Sequence, residues 1–306
     1  MLGTFCTITL FDEGMPEVYR NVFSRLREID NRMSARLKGS DVDMINRAAG
    51  IEAAAVSGEA FEVIEKAVRY AEISGGAFDP SVGPLVSLWN IGSDNPTVPA
   101  QHEIDKALML INWKDIELDR EKKTVFLKKP GMALDLGAIA KGYAADEAAK
   151  IIKQAGLKRA IIDLGGNILT LGIKQDGKPW TVGIQNPNEK RGIPVGIVQV
   201  EEKTVVTSGV YERYFESEGI KYHHIFDTST GYPCNNGLLS VTVIAGVSID
   251  ADALSTAVFV LGFEKGMALI ESIDDAECIF ILEDKSIRLS PNAYFILNDN
   301  NFRLVF

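Results

Sequence analysis

Short strand-like segments dominate the second half of the chain, and most of them follow one another without a helix between them. The stretch AIIDLGGNILTLG (160–172) predicts a hairpin that turns at Gly165 and Gly166, because glycine adopts turn conformations without strain. Further strands are predicted for GTFCTITLF, WTVGIQ, IPVGIVQVE, TVVTSG, YHHIFD, LSVTVIAG, CIFILED and AYFILN. Grouped strands favour antiparallel pairing, so the predicted class is α+β with largely antiparallel sheets and packed helices.

Helical periodicity is found mostly in the first half of the chain. Helices are predicted at 16–33, at 57–76 with Ser57 as the cap, at about 101–110, and in the two stretches DADALSTAVFVLG and FEKGMALIESI. Residues 132–156 predict a strand, a tight glycine turn and a long helix. Residues 77–99, rich in proline and glycine, are predicted to be irregular.

Composition excludes several classes of function. The 306 residues carry a net charge of −10, which argues against duplex nucleic acid or an anionic membrane as the main partner. Three widely spaced cysteines argue against a disulfide framework or a zinc site. Without an apolar run of about 18 residues, no transmembrane helix is expected. No signal peptide is evident, so the protein either stays in the cytosol or has an export signal that this sequence lacks.

The stretch DADALSTA at 250–257 places hard oxygen donors at the start of an apolar helix. Asp252 and Thr256 are four residues apart and therefore share a helix face. Two such ligands suit Mg²⁺, which keeps several waters and takes further oxygens from substrate phosphates. The alternative is ordinary helix capping, for which Asp, Ser and Thr are also the preferred residues.

The stretch LDLGAIAKGYAAD at 134–146 is a candidate anion site. A strand, a glycine turn at Gly137, a helix N-terminus and Lys141 in the first turn together suit a phosphate group. The spacing of a P-loop is absent. The alternative is a plain strand-to-helix turn with a solvated lysine.

Two further stretches are candidates for the site. In KYHHIFDTSTGYP, His223 and His224 would point to opposite faces of a strand, so at most one could act as a general base. The stretch SGGAFDPSVGPLVSLW predicts a fixed loop around Asp79 of the kind that lines ligands. The alternatives are an ordinary strand histidine and a packed connector. DLGGN and TSGVYERYF add glycine-marked strand ends where the backbone can approach a ligand closely.

In order along the chain, these motifs resemble the ApbE family of FAD:protein FMN transferases. The resemblance rests on LGT, MSxxxxxSDVxxIN, GGAFDPSVGPLVSLW, LDLGAIAKGYAAD, DLGGN, TSGVYER, HHIFDTSTGYP and DADALSTAVFVLG. It implies one domain over 1–306, built of two closely packed T-fold-like lobes. It also implies FAD as substrate, Mg²⁺ as cofactor, and transfer of FMN to a threonine or serine of a partner flavoprotein with release of AMP. Some relatives instead hydrolyse FAD to FMN and AMP.

The resemblance assigns roles to particular residues. It makes Asp252 and Thr256 the side-chain metal ligands, with the backbone carbonyl of Ala138 as a further ligand, and makes His224 the group that assists the attacking hydroxyl. It assigns flavin-nucleotide contacts to Ser34, Arg36, Ala77, Phe78, Asp79, Asp135, Lys141, Ser208, Gly209, His224 and Ile225.

The chain departs from the family at one position, because Arg36 stands where many members have an aromatic residue. A guanidinium can also stack on a flat ring, and we hypothesise that Arg36 alters the balance between transfer and hydrolysis. The family is commonly exported, often as a membrane-anchored lipoprotein, which implies the periplasmic side of the cell envelope. The competing functions are a FAD pyrophosphatase and a non-catalytic FAD carrier. Asp252 together with Thr256 favours an enzyme, because a carrier needs no open metal position.

Overall fold

The computed structural model describes residues 2–13 and 16–305, and the chain divides into two units. The first unit contains Met1–Ile29, Ile139–Gly209 and Asn236–Phe306, and the second contains Asp30–Ala138 and Val210–Asn235. Each unit is therefore assembled from segments that are distant in sequence. The expectation of one domain with two packed lobes stays a prediction.

Seven α-helices form within the described residues. They are α1 (Pro16–Met33), α2 (Asp41–Arg47), α3 (Gly58–Ile73), α4 (Gly83–Trp89), α5 (Gln101–Leu108), α6 (Ala140–Gln154) and α7 (Ser248–Glu271). The bounds of α1 match the predicted helix, since Val18, Val22, Leu26 and Ile29 recur at helical spacing and are all buried. Ser57 caps α3 as predicted, because its hydroxyl accepts from the backbone N–H of Ala60 at 3.2 Å.

Sixteen strands form within the described residues. In the first half of the chain they are β1 (Cys6–Leu10), β2 (Ala54–Ala55), β3 (Ile116–Asp119) and β4 (Thr124–Leu127). The strands from 160 to 223 are β5 (Ala160–Leu164), β6 (Asn167–Leu171), β7 (Trp180–Gln185), β8 (Pro194–Val200), β9 (Thr204–Gly209), β10 (Tyr214–Ser217) and β11 (Ile220–His223). The last five are β12 (Leu238–Ala245), β13 (Glu277–Leu282), β14 (Ser286–Leu289), β15 (Ile296–Leu297) and β16 (Arg303–Val305).

The first unit is built on an eight-stranded sheet in the order β1-β5-β6-β9-β12-β13-β14-β16. Every pair in it is antiparallel except β14–β16, which confirms the predicted class. Helices α6 and α7 pack on this sheet. Along β9 the side chains alternate, so Thr204 and Ser208 meet α7 while Val205 joins an apolar cluster with the β15-β8-β7 sheet. The strand β9 therefore presents Thr204 and Ser208 to the helix that carries Asp252.

Helix α7 combines the two helices predicted around 250–273. A non-helical residue, Gly262 (φ 77°, ψ 178°), interrupts it at the predicted break. Among the described residues, α7 alone is long and apolar enough to cross a membrane by length and composition, and half of its most apolar window is buried. Its apolar side chains pack against the sheet, as those of a core helix do.

The second unit contains two small sheets and an aromatic core. The sheets are β2-β4-β3 and the hairpin β10-β11, both antiparallel. Trp89 is fully buried at the end of α4, and its indole N–H donates to the carbonyl of Gly231 at 2.9 Å. The rings of Phe215 and Tyr222 stack at 5.3 Å beside it. This packing holds the segment 223–234, which carries the two adjacent histidines.

Two predictions of local structure are wrong. Residues 77–99 are not wholly irregular, because α4 lies within them and Pro84 occupies its first turn, where proline has no lost hydrogen bond. Residues 132–136 do not form a strand. Met132, Leu134 and Leu136 alternate and are buried, but the segment makes only a single bridge, between Val82 and Ala133. The alternation of apolar residues here reflects burial of one side of the segment, and it does not require pairing as a strand.

Three predicted boundaries also shift. The strand expected for YHHIFD ends at His223, so His224 lies beyond it and the two rings are not on opposite faces of one strand. Helix α7 begins at Ser248, two residues before the expected start. The strand expected for AYFILN is reduced to Ile296 and Leu297.

Candidate functional site

Asp252 lies in the second turn of α7 and is only 3% exposed. The ammonium nitrogen of Lys141 lies 3.1 Å from its Oδ1 and 3.4 Å from its Oδ2. The backbone N–H of Gly142 donates to Oδ2 at 2.9 Å. The carboxylate predicted to hold a metal and the lysine predicted to contact the nucleotide are therefore direct partners within the first unit.

Asp252 acts as a helix cap, but for α6 and not for its own helix, which the capping alternative had expected. Helix α6 begins after Ile139, which makes no side-chain cap, and Gly142 is its third residue. An N-cap side chain normally accepts from this third N–H. Asp252 supplies that oxygen from α7, 110 residues further along the chain. A helix N-terminus and an ammonium thus share the charge of one buried carboxylate.

Three hydroxyl groups on α7 and β9 lie close together, and one of them, that of Ser255, donates to the backbone carbonyl of Asp252 at 2.9 Å. Ser208 Oγ is 2.9 Å from Ser255 Oγ and 3.5 Å from Thr256 Oγ1, the second distance being at the outer limit of a hydrogen bond. Gly209 ends β9 next to Ser208, where the strand still pairs with β12. Four of the predicted site residues, namely Lys141, Ser208, Asp252 and Thr256, are therefore gathered around the start of α7.

The donor set of Asp252 and Thr256 fits a magnesium ion. Both donors are hard oxygens one turn apart, and Mg²⁺ accepts few protein ligands because water and phosphate complete its shell. Within residues 2–13 and 16–305, no group of three or more His, Cys, Asp or Glu side chains could form a closed cage. The partner that Asp252 already has is a cation, Lys141. This carboxylate is therefore placed where positive charge is accommodated.

Asp79 in the second unit is buried for a structural reason. Its Oδ1 accepts from the backbone N–H of Ser81 at 2.8 Å and from the Ser81 hydroxyl at 2.6 Å, and its Oδ2 accepts from Trp113 N–H at 3.0 Å. Burial raises the pKa of this carboxyl, and the hydrogen bonds from Ser81 and Trp113 act in the opposite direction. Phe78 is also buried and meets Tyr70 edge-on at 6.5 Å. Both side chains fix the loop, and the flavin-nucleotide contacts assigned to Ala77, Phe78 and Asp79 stay predictions.

Asp135 lies on the segment that runs beside this loop. Its backbone N–H donates to the carbonyl of Pro80 at 2.9 Å, and its Oδ1 accepts from Gly137 N–H at 2.8 Å. Gly137 therefore turns the chain toward Ala138 with the carboxylate folded onto the turn. The metal role of Ala138 and the nucleotide role of Asp135 stay predictions.

The two adjacent histidines have different environments. His223 is 5% exposed, its Nε2 lies 2.8 Å from the carbonyl of Cys234, and its Nδ1 accepts from Ile225 N–H at 3.2 Å. These partners require the neutral tautomer with the proton on Nε2. Burial lowers the pKa of the ring, with a smaller contribution of the same sign from Lys221 and an opposing one from Cys234. His223 is therefore the ordinary structural histidine of the alternative interpretation.

His224 is partly exposed, and one of its ring nitrogens meets a backbone carbonyl. Its Nδ1 lies 3.2 Å from the carbonyl of Arg213. A carbonyl only accepts, so the neutral ring carries its proton on Nδ1 and its lone pair on Nε2. This tautomer suits a general base at Nε2, which was predicted for His224.

The loops around His224 and Asp79 are tied together within the second unit. The hydroxyl of Thr228 donates to the carbonyl of Gly76 at 2.9 Å. Ile225 is buried, and its carbonyl accepts from Cys234 N–H at 2.8 Å. The remaining predicted contacts, Ser34 and Arg36, lie in the turn after α1, where Ser34 Oγ accepts from Arg36 N–H at 3.2 Å. Arg36 itself is exposed.

The sequence did not indicate three residues that lie around the start of α7. Gly142 donates to Asp252, Asp146 accepts from the first N–H groups of α7, and Ser255 bonds Ser208. Asp146 is the last residue of the LDLGAIAKGYAAD motif, and its position in a recurring motif is the signal that could have found it. Ser255 lay inside DADALSTA but was counted only as a cap candidate.

Comparison with known proteins relates the chain to one family. The model of the ApbE family matches residues 2–280. A protein of Treponema pallidum named FAD:protein FMN transferase is 38% identical over 95% of this chain and 85% of its own length. A protein of the same name from Klebsiella pneumoniae is 40% identical over 88% of this chain and 83% of its own length.

Solved structures give the same relation. The ApbE protein of Thermotoga maritima superimposes with a TM-score of 0.87 at 34% identity, covering 95% of this chain and 94% of that one. The flavin transferase ApbE of Vibrio cholerae superimposes with a TM-score of 0.81 at 28% identity, covering 98% of this chain and 95% of that one.

Proposed function

The chain belongs to the ApbE family and is a flavin-transferring enzyme, and we propose that it moves FMN from FAD to a threonine or serine hydroxyl of a partner flavoprotein. The observation that carries the proposal is the gathering of Lys141, Ser208, Asp252 and Thr256 around the start of α7. A buried carboxylate, an ammonium and hydroxyl groups at helix N-termini suit a metal-assisted reaction at a pyrophosphate.

The proposed reaction breaks the phosphoanhydride bond of FAD and forms a phosphate ester on the acceptor. The hydroxyl oxygen of the acceptor attacks the phosphorus of the FMN half of FAD. A new oxygen–phosphorus bond forms, the bond to the bridging oxygen of the pyrophosphate breaks, and AMP leaves with the electron pair of that bond. The proton of the hydroxyl has to be removed during attack, and AMP carries the negative charge that develops.

We assign to His224 the removal of the proton from the acceptor hydroxyl. Because its Nδ1–H donates to the carbonyl of Arg213, the neutral ring carries its lone pair on Nε2, the atom that a general base would use. Its neighbour His223 is excluded from this role, since both of its ring nitrogens are used by the backbone of Cys234 and Ile225.

We propose that Lys141 and the N-terminus of α6 stabilise the negative charge of the phosphates. Both are held by Asp252, so the ammonium and the N–H groups are oriented before substrate binds. Asp252 and Thr256 would hold Mg²⁺, which would neutralise the charge of the pyrophosphate when bound.

Water could replace the acceptor hydroxyl in the same site, and the products would then be free FMN and AMP. The transfer reaction is tested by incubating the protein with FAD, Mg²⁺ and a flavoprotein that exposes a threonine. Mass spectrometry of the acceptor and chromatography of the nucleotides measure the two products. The matched control is the same acceptor with that threonine changed to alanine.

We expect the acceptor to gain one FMN for each AMP released, and the alanine acceptor to gain none. AMP and free FMN without modification of the acceptor would make the protein a pyrophosphatase. FAD retained without cleavage would make it a carrier and contradict the proposal.

By family resemblance we further propose that the protein acts on the periplasmic side of the cell envelope. Fractionation of cells, with an antibody to detect the protein, would test this.

A further inference from the structure

Helices α6 and α7 begin side by side, and each N-terminus is capped by a carboxylate from the other helix. Neither Ile139 nor Val247, the residues that precede them, makes a side-chain cap. Asp252 of α7 accepts from Gly142 N–H in α6. In return, Asp146 of α6 accepts from the first two N–H groups of α7. The two helix starts are thus joined by an exchange of carboxylates.

The hydrogen bonds to Asp146 are of ordinary length and use both carboxylate oxygens. Ser248 N–H donates to Oδ1 at 2.9 Å, and Ile249 N–H donates to Oδ2 at 2.9 Å. Two parallel bonds to consecutive N–H groups fix the rotation of a helix start as well as its position. A carboxylate at this end also interacts favourably with the helix dipole.

A close approach of the two backbones makes this exchange possible. A Cβ atom at Gly142 would lie 2.3 Å from the carbonyl oxygen of Ser248 and 2.6 Å from the Cα of Ile249. The Ser248 hydroxyl adds a further restraint, donating to Asn167 Oδ1 at 2.8 Å and accepting from Thr204 at 3.1 Å. The first turn of α7 is therefore held from α6 and from the sheet.

We propose that Asp146 is a positioning residue that holds Asp252 and Thr256 in the geometry for metal binding. Asp252 and Thr256 lie within two turns of the N–H groups that Asp146 binds, so the start of α7 sets where their oxygens point. The inference rests on the proposed function, because it concerns the metal named there. Outer partners that orient metal ligands typically change affinity about 10–100-fold when removed.

The test measures metal affinity in the absence of substrate. Mn²⁺ is titrated by calorimetry into the wild-type protein and into Asp146→Asn and Asp146→Ala. Asp146→Asn keeps an acceptor for one of the two N–H groups and is the milder variant. Thermal unfolding of each protein is recorded beside the titration. Asp252→Ala serves as the variant that lacks the proposed ligand.

The matched control is Asp12→Asn. Asp12 lies in the same unit and also accepts from two consecutive backbone N–H groups, those of Lys158 at 2.7 Å and Arg159 at 2.8 Å. None of its described partners belongs to the candidate site. Its replacement should lower thermal stability without changing the affinity for Mn²⁺.

We expect Asp146→Ala to weaken Mn²⁺ binding about tenfold or more and Asp146→Asn by a smaller factor. Equal affinity in wild type and both Asp146 variants would overturn the inference, even if all were less stable. A wild-type protein that binds no Mn²⁺ would overturn it together with the metal part of the proposed function, so the two failures are distinguishable. A loss of affinity in Asp12→Asn as large as in Asp146→Asn would also overturn it, because general destabilisation would then explain the effect.

Discussion

Two buried carboxylates with similar exposure have different partners, and the difference predicts a structural role for one and a functional role for the other. Asp79 in the second unit is bound by three donors that belong to its own loop or its immediate neighbour, Ser81 and Trp113. Asp252 in the first unit is bound by one fixed N–H, from Gly142, and by the ammonium of Lys141. A lysine side chain can move to another anion, whereas the donors of Asp79 cannot leave without unfolding the loop. Burial alone therefore does not indicate a site, but the kind of partner does.

The largest expected effect is the loss of FAD cleavage when Asp252 is replaced. We expect Asp252→Ala to lower the rate of AMP release from FAD by at least about 100-fold, because the metal and Lys141 both lose their carboxylate. The rate is measured by chromatography of the nucleotides at saturating Mg²⁺. Asp12→Asn, which alters a carboxylate remote from these contacts, is the control. A rate for Asp252→Ala close to the wild-type value would show that this carboxylate is as structural as Asp79.

The two histidines repeat the comparison within two neighbouring residues. His224→Gln should lower turnover by about 100-fold or more through loss of the base at Nε2. The control is His102→Gln, since His102 is an exposed residue of α5. An unchanged rate in His224→Gln would remove His224 from the mechanism and leave proton removal to solvent.

The contact between the two helix starts should be sensitive to one methyl group. Gly142→Ala places a Cβ against the backbone of Ser248, so we expect a loss of about 1–3 kcal/mol in the free energy of unfolding. Gly58→Ala is the matched control, because Gly58 also lies in a helix start but would have nothing within 4 Å of its Cβ. Urea denaturation measures both. If Gly142→Ala is as stable as Gly58→Ala, the close packing of α6 on α7 is not required.

Asp79 should show its role in stability. Asp79→Ala leaves the buried hydroxyl and N–H of Ser81 without their acceptor, which should cost about 1–3 kcal/mol of unfolding free energy. The affinity for Mn²⁺ should stay at the wild-type value, in contrast to Asp252→Ala. The exposed Asp94→Asn serves as the control for denaturation. A variant with wild-type stability would mean that the loop does not depend on this carboxylate.

The smallest expected effect is a pH dependence from His223. Burial lowers the pKa of the folded ring below its ordinary value of 6.5, so between the two values the unfolded chain binds more protons. The free energy of unfolding should therefore fall as the pH drops below about 6.5 and through the folded pKa. His223→Gln should flatten this slope, while His102→Gln should keep it. The same slope in wild type and His223→Gln would contradict the assignment.

Much of the fold could be predicted from the sequence where a local pattern determines the structure. The spacing of apolar residues predicts helix α1. Gly165 and Gly166 predict the turn of the β5–β6 hairpin, because both have a positive φ, which glycine adopts without strain since it lacks a Cβ. Prediction failed where two local signals conflict. In α4 a proline that permits a helix start was taken as a sign of irregular chain, and at 132–136 the alternation of buried residues suggested a strand without a pairing partner.

The candidate site was predictable only as far as the spacing of residues reaches. Asp252 and Thr256 could be assigned to one helix face because they lie four residues apart. Their partners could not be assigned, because the bond from Gly142 spans 110 residues and those to Asp146 span 102 and 103. The exchange of caps depends on how α6 and α7 meet on the sheet, which no short pattern encodes. The resemblance to a family predicted the chemistry, whereas the contact of Asp146 with α7 could be found only from the packing of the helices.

The most direct measurement is the dependence of FAD cleavage on Mg²⁺. AMP is measured after the protein is incubated with FAD and an acceptor flavoprotein, first with Mg²⁺, then with EDTA, and then with Mg²⁺ restored in excess. We predict that AMP appears with Mg²⁺, stops with EDTA and returns on restoration, and that Asp252→Ala gives none under any of the three conditions. AMP release at the same rate in EDTA, or in Asp252→Ala, would contradict a metal-assisted reaction at the start of α7.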